Sequence, residues 1–116
     1  ADHRTVAILT KTQDQAEAVA RMLRKYPEKF QLLQASDRTR TSNFVVMPIY
    51  LAKGLEFDAV IGYDVSQTNY PDSEATGLLY TLASRAMHAL TLISVGPVSG
   101  LIRDVQETLD ISVLGD

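Results

Sequence analysis

The chain has 116 residues, 46% of them hydrophobic, which suits one compact domain with its own core. No apolar run approaches the ~20 residues that a membrane-spanning helix requires, and the absence of cysteine excludes disulfides and thiolate chemistry and fits a cytoplasmic protein. Residues 1–53 carry nine Lys and Arg against five Asp and Glu, whereas residues 54–116 carry two Lys and Arg against nine Asp and Glu. The net charge of −3 therefore conceals a basic N-terminal half. This half either faces phosphates or is only a solvated surface.

Two further features limit the chemistry and the extent of the protein. His3 and His88 are the only histidines, and neither has a partner at ligand spacing, so we expect no metal site. The sequence begins with Ala-Asp-His-Arg-Thr rather than Met. We interpret residues 1–116 as one domain taken from a larger protein.

The first predicted helix has a start signal and a stop signal. Thr12 and Gln15 form a capping box, and Pro27 ends the helix. Apolar residues at helical spacing predict that its buried face comprises Val19, Met22, Leu23 and Tyr26.

The remaining elements alternate between strands and helices. The predicted strands are Thr5–Leu9, Phe30–Gln34, Phe44–Ile49 with Pro48 near its end, Ala59–Tyr63 and Leu90–Val95. Ser36–Asn43 is predicted to be a polar loop, a second helix to begin at a cap on Asp72 or Ser73 and run to about Met87, and a last helix to cover Leu101–Leu109. Apolar strands interleaved with helices indicate a single α/β domain with a mainly parallel sheet covered by helices on both faces.

Charged residues and a glycine stand close to the predicted strands. Ligands of such sheets gather at the carboxyl ends of the strands, so these residues are candidates for a binding site. The first strand is followed by Lys11, the fourth is preceded by Lys53, Gly54 and Glu56, and the helix before the fifth carries Arg85. We expect Lys11, Gly54, Glu56 and Arg85 to converge on one open face. The alternative for Arg85, at the rim of its helix, is to cover apolar surface with its aliphatic stem.

Three segments resemble motifs of the UvrD/Rep group of superfamily 1 helicases. LAKGLEFDAVI, at residues 51–61, is similar to motif V, and LLYTLASRAMHALTL, at residues 78–92, is similar to motif VI. AILTKTQDQA, at residues 7–16, resembles motif IV, with Lys11 where an arginine is usual. The resemblance implies a RecA-like fold of the phosphate-loop NTPase type and identifies the chain as the second, C-terminal RecA-like domain of a helicase motor.

The resemblance also implies roles for the candidate residues. Such a motor binds ATP and Mg²⁺ between two RecA-like domains, and the second domain closes over the γ-phosphate. Arg85 would be the arginine finger that stabilises charge on the transferred phosphoryl group. Glu56 would hydrogen-bond the ribose, Gly54 would allow close approach of the backbone, and Lys11 would add a phosphate contact. The full-length protein would be an ATP-dependent DNA helicase.

Two departures from the common pattern narrow the resemblance. Pro48-Ile49-Tyr50 replaces the usual Thr-x-His, and only Ser36–Asn43 stands where an accessory domain is normally inserted. Both features are similar to the helicase-IV-like HelD proteins, which implies RNA polymerase as a partner besides DNA. Tyr50 and Lys53 are the candidate nucleic-acid contacts, Tyr50 by stacking on a base or, alternatively, as an ordinary strand-end tyrosine.

One absence sets the expectation for the isolated chain. The sequence contains no G-x-x-x-x-G-K-[ST] and no Asp-Glu pair at a strand end, so the phosphate loop and the Mg²⁺ carboxylates would belong to an N-terminal RecA-like domain of the same protein. We therefore predict that residues 1–116 alone do not hydrolyse ATP. The alternative function is a docking module for nucleic acid or polymerase that descends from a helicase. A receiver-type signalling domain fits less well, because Thr10 and Lys11 stand where it needs acidic residues.

Overall fold

Six strands form one sheet in the computed structural model, which describes residues 5–35, 37, 41–71, 75–103 and 110–114. The strands are β1 Val6–Thr10, β2 Gln31–Leu32, β3 Phe44–Pro48, β4 Phe57–Tyr63, β5 Ala86–Val95 and β6 Asp110–Leu114. The helices are α1 Gln13–Leu23, α2 Thr76–Ser84 and α3 Gly100–Arg103, with a 3₁₀ helix at Ile49–Ala52. The strand order is β2-β3-β1-β4-β5-β6 and all neighbouring strands run parallel, which confirms the predicted fold class.

The central strand β1 divides the core between the two faces of the sheet. Its side chains alternate in direction, so Ala7 and Leu9 enter one apolar cluster and Ile8 enters the other. The cluster around Ile8 is covered by α1, whereas α2 covers the cluster around Leu9 and contributes Leu79 and Leu82 to it. Helices therefore lie on both faces, as predicted. In the described ranges, none of the helices has the length and apolar character to cross a membrane.

Helix α1 starts as predicted but buries only part of the predicted face, namely Val19 and the half-buried Leu23. The Thr12 hydroxyl accepts the backbone N–H of Gln15 at 3.1 Å, which is the expected N-cap. The residues of α1 that become buried are Ala16, Val19 and Ala20. Met22 is 45% exposed and Tyr26 62% exposed, so their assignment to the core is wrong. Met22 lies beside the stripe of buried residues on α1 rather than within it. Tyr26 lies beyond Leu23, the last helical residue, so the helical period does not set the direction of its side chain.

Several element boundaries differ from the predicted ones. β2 is shorter than predicted, β4 begins at Phe57 rather than Ala59, and α2 ends at Ser84 because β5 already begins at Ala86. Strand β6 was not predicted. Of the helix expected over residues 101–109, the structure describes the end of α3 at Arg103, and residues 104–109 lie outside the described ranges, as do Ser36, residues 38–40 and the expected caps Asp72 and Ser73.

Candidate functional site

Glu56 and Arg85 lie side by side where two neighbouring strands begin. Glu56 immediately precedes β4 and Arg85 immediately precedes β5. The backbone N–H of Phe57 donates to the carbonyl oxygen of Arg85 at 2.8 Å, which fixes these two strand starts against each other. We call the edge of the sheet at which the parallel strands begin the amino edge, and the opposite one the carboxyl edge. The amino edge therefore presents a carboxylate and a guanidinium from adjacent strands.

Arg85 has donors without strong acceptors. It is the C-cap residue of α2 and is half-buried. Its Nη1 lies 3.5 Å from the Ala52 carbonyl oxygen and its Nη2 3.1 Å from the Ser84 hydroxyl, both of them neutral oxygens. Its Nε is buried and has no hydrogen-bond partner among the described residues. Since a buried unsatisfied donor is unfavourable and a guanidinium pairs best with an anion, this arrangement suits an incoming phosphate or carboxylate.

The loop from the 3₁₀ helix to β4 brings Glu56 to the amino edge. Lys53, Gly54, Leu55 and Glu56 are all exposed. Gly54 has φ +81°, a left-handed conformation that favours glycine, and a Cβ added there would contact nothing within 4 Å. The backbone N–H of Leu55 donates to the Ala52 carbonyl oxygen at 2.9 Å, the same oxygen that faces Arg85. Gly54 is therefore required by the turn that sets this loop beside Arg85.

Lys11 does not join these residues. β1 pairs with β4 in a register that sets Leu9 opposite Gly62, so Lys11 is level with the carboxyl end of β4. Glu56 lies before the start of β4, roughly 25 Å away at 3.3 Å per strand residue. The prediction that Lys11, Gly54, Glu56 and Arg85 converge on one face is therefore wrong for Lys11. The prediction placed the whole site at the carboxyl ends of the strands, where Lys11 lies, whereas Glu56 and Arg85 precede their strands and lie at the amino edge.

Lys11 instead joins two loops at the carboxyl edge. Its Nζ donates to the Asn69 carbonyl oxygen at 2.6 Å and lies 5.6 Å from the centroid of the Tyr70 ring. Gln15 Nε2 donates to Asn69 Oδ1 at 2.9 Å, and Asn69 Nδ2 donates to the Asp64 carbonyl oxygen at 2.8 Å. These bonds tie the start of α1 to the segment that follows β4. Sequence reasoning missed Asn69 because a loop asparagine carries no spacing pattern that would single it out.

The Tyr70 side chain is fully buried, and Lys11 lies over its ring. The Tyr70 hydroxyl has no hydrogen-bond partner in the part of the chain that the structure describes. Burial, and then the nearby charge of Asp64, raise the pKa of Tyr70 above its ordinary value of 10.0. The ring therefore acts as a neutral, buried support for the Lys11 side chain.

The candidate nucleic-acid contacts stand on the connection that crosses from one edge to the other. Tyr50 belongs to the 3₁₀ helix that directly follows β3, at the carboxyl edge, and is 49% exposed. Lys53 follows the other end of this short helix and is exposed. Among the described residues, no group of three or more His, Asp or Glu is arranged to hold a metal ion.

Comparisons with known proteins relate this arrangement to a family. Residues 43–93, which contain the 3₁₀ helix, Glu56 and Arg85, match the family model of the UvrD-like helicase C-terminal domain. The C-terminal domain of a possible DNA helicase from Lactobacillus plantarum WCFS1 is 40% identical, with a TM-score of 0.81 over 95% of this chain and 67% of that one. The C-terminal part of the Fun30 ATPase domain, at 14% identity, has a TM-score of 0.56 over 94% of this chain and 40% of that one, a likeness of fold alone. A search of curated proteins found no match.

Proposed function

Since this chain belongs to the family of UvrD-like helicase C-terminal domains, we propose that it is the half of an ATP-driven motor that closes over a nucleotide held by another domain. The observation that carries the proposal is the half-buried Arg85, whose guanidinium has only neutral acceptors and an unpartnered Nε. An anion placed at the amino edge would give the guanidinium the charged acceptor that its neutral partners do not provide.

The amino edge suits the outer side of a nucleotide rather than a complete site. Glu56 offers an acceptor for a ribose hydroxyl and Arg85 a cation for the terminal phosphate, while the described residues form neither a phosphate loop nor a metal-binding group. ATP and Mg²⁺ would therefore be bound mainly by an N-terminal RecA-like domain of the same protein. The chemistry that Arg85 would supply is stabilisation of negative charge on the transferred phosphoryl oxygens. Lys11, at the other edge, is not part of this site.

The nucleic acid is the second ligand of the proposed motor. The solved relative from Lactobacillus plantarum is described as a possible DNA helicase, and we propose DNA as the substrate here too. Tyr50 offers an exposed ring for stacking, and Lys53 offers a charge for a phosphate. The short connection from β2 to β3, residues 33–43, leaves no room for an accessory domain. This feature, with Tyr50 in place of histidine, supports a HelD-like protein whose partner is RNA polymerase.

Substitution of Arg85 tests the proposal in a protein that joins this chain to a phosphate-loop domain. Arg85→Ala should lower ATP turnover about 10³-fold or more, as loss of an arginine finger does. Stability should fall by only about 1 kcal/mol, because a half-buried arginine contributes mainly the packing of its stem. Arg85→Lys should restore little activity, since an ammonium lacks the planar fork. Steady-state ATPase assays and thermal unfolding of both variants measure these effects.

A matched control separates the site from general charge effects. Arg21 is also an arginine but is exposed on α1, so Arg21→Ala should leave turnover unchanged. The isolated chain should show no ATPase activity, and robust turnover by it would contradict the proposal. Turnover that survives Arg85→Ala, or falls only as far as unfolding explains, would favour the alternative function, a docking module without catalysis.

A further inference from the structure

A groove of about 480 Å³ lies between the end of α1 and the outer strand β2. We call it the α1–β2 groove. Its lining residues are Arg24, Tyr26, Glu28, Lys29, Phe30 and Leu32. Because α1 runs back from the carboxyl edge, its end and this groove lie at the amino edge. β2 is separated from β5 by three strands, which sets the groove about 19 Å from Arg85 at 4.8 Å per strand. The groove is therefore distinct from the site around Glu56 and Arg85.

The floor of the groove is apolar and firmly held. Phe30 and Leu32 belong to the partly buried apolar residues that pack under α1. The Phe30 ring lies 6.3 Å from the ring of Phe44, centroid to centroid, at an interplanar angle of 57°. Such a tilted pair of aromatic rings is a favourable packing geometry. The floor is thus a fixed surface on which a flat apolar group can rest.

The rim of the groove combines an exposed aromatic ring with cations. Tyr26 is 62% exposed although it stands between two structured elements. Arg24 and Lys29 are exposed, and within the described ranges the structure records neither an ion pair nor a side-chain hydrogen bond for them. The segment 21–29 as a whole carries four cations and one carboxylate. The local field therefore favours an anionic ligand.

We propose that the α1–β2 groove binds one nucleotide unit of a single-stranded nucleic acid. Aromatic rings that stack on bases, flanked by cations that contact the backbone, are the means by which proteins hold single strands without sequence preference. A cavity of a few hundred cubic ångströms has the size of one ligand of this kind. Tyr26 stacks on the base over the apolar floor, while Arg24 and Lys29 contact the flanking phosphates. An acidic peptide would satisfy the cations but would leave the Tyr26 ring without a stacking partner.

Fluorescence anisotropy of a labelled 12-nucleotide oligothymidylate with the 116-residue chain tests the proposal. Tyr26→Ala should weaken binding at least about fivefold, the loss expected for one stacked base. Its matched control is Tyr80→Ala, because Tyr80 is 74% exposed on α2, away from the groove, and should change affinity less than twofold. All these side chains are exposed, so circular dichroism should show unchanged folding.

The salt dependence of binding tests the phosphate contact separately. Removal of one phosphate contact lowers the slope of log affinity against log salt by about 0.7 for a single strand. Arg24→Ala should show this change, whereas Arg21→Ala, which removes an equal charge from the same helix but not from the groove lining, should not. Equal effects of the two variants would reduce the interaction to general attraction and overturn the proposal.

Three other outcomes would also overturn it. The first is no binding of the oligonucleotide at the highest protein concentration used. The second is loss of affinity in Tyr50→Ala but not in Tyr26→Ala, which would place the strand at the carboxyl edge. The third is that the chain binds an oligoglutamate peptide more tightly than the oligonucleotide, and that Arg24→Ala weakens binding of the peptide only. This result would make the groove a docking site for acidic protein segments.

Discussion

Leu82 of α2 packs directly on the backbone of Gly62 in β4. A Cβ added at Gly62 would lie 2.9 Å from Cδ2 of Leu82 and 2.9 Å from Cδ2 of Leu92. The absence of a side chain at Gly62 thus sets how closely α2 approaches the sheet. Since Arg85 is the C-cap residue of α2, this contact also positions the guanidinium at the amino edge.

Gly62→Ala should destabilise the fold by about 1–3 kcal/mol, because both leucines must leave their rotamers to admit a methyl group. Gly77→Ala is the matched control. Gly77 lies in α2, and a Cβ there would contact nothing within 4 Å. Alanine at Gly77 should therefore stabilise the helix by about 0.5–1 kcal/mol. Chemical denaturation of the two variants measures their unfolding free energies. Equal changes in the two variants would show that α2 can move away from the sheet at little cost.

Lys11→Met should cost about 2 kcal/mol of unfolding free energy. The substitution keeps the aliphatic stem but removes the hydrogen bond to the Asn69 carbonyl oxygen and the charge above the Tyr70 ring. Lys25→Met, at an exposed position, should change stability by less than about 0.5 kcal/mol. An unchanged stability of the Lys11 variant combined with weaker ATP binding in a complete motor would restore the phosphate contact that the resemblance implies.

Tyr70 should make the fold sensitive to alkali. Its pKa in the folded protein is raised above the ordinary value of 10.0, so the folded state retains the phenolic proton that the unfolded state releases. The stabilisation is complete below pH 10 and decreases as the pH rises above it. Between pH 10 and 11 the loss should be about 1 kcal/mol.

Tyr70→Phe isolates this contribution from the titration of lysines. At pH 7 the variant should be about as stable as the original chain or slightly more stable, because the hydroxyl has no partner among the described residues. At pH 11 it should be more stable than the original chain by about 1 kcal/mol. Denaturant titrations at both pH values measure this, and parallel losses in the two proteins would contradict the assignment.

Glu56→Ala should raise the KM for ATP of a complete motor by about fivefold or more, the loss of a hydrogen bond to a charged group. Stability should not change, because Glu56 is exposed. If the partner is a ribose hydroxyl, the effect of the substitution should vanish with either 2′-deoxy-ATP or 3′-deoxy-ATP. A KM effect of equal size with both analogues would place the partner of Glu56 elsewhere.

The order and direction of the elements follow from local patterns, whereas their ends depend on pairing between strands. β1, β3 and the start of α1 were predictable from an apolar run and from the Thr12 cap, which act within a few residues. Ala86 to Ala89 carry no strand pattern, and Met87 and His88 are exposed. Their strand conformation comes from pairing with β4, in which Phe57 lies opposite Ala86 and Ala59 lies opposite Ala89. Tertiary pairing overrides local preference in this way at many strand ends.

The candidate site was predictable in its chemistry but only partly in its geometry. Glu56 was found because charged residues and a glycine stand directly before the fourth predicted strand, and Arg85 because it lies at the rim of its helix in a segment that resembles motif VI. That Lys11 lies at the other edge follows from the register of β1 with β4, which joins residues more than fifty positions apart. The positions of Asn69 and of the Tyr26 ring depend on loop conformations that no local pattern specifies.

The central position of β1 has a consequence for how the protein forms during synthesis. Val6 pairs with Phe44 on one side and with Ala59 on the other, which lie 38 and 53 residues further along the chain. β1 therefore leaves the ribosome long before either neighbour exists, with its apolar side chains and both rows of backbone groups unpaired. Parallel strands joined over such distances fold slowly, and an exposed apolar strand in the meantime is prone to aggregate. We expect nascent chains that stall before Ala59 to depend on chaperones.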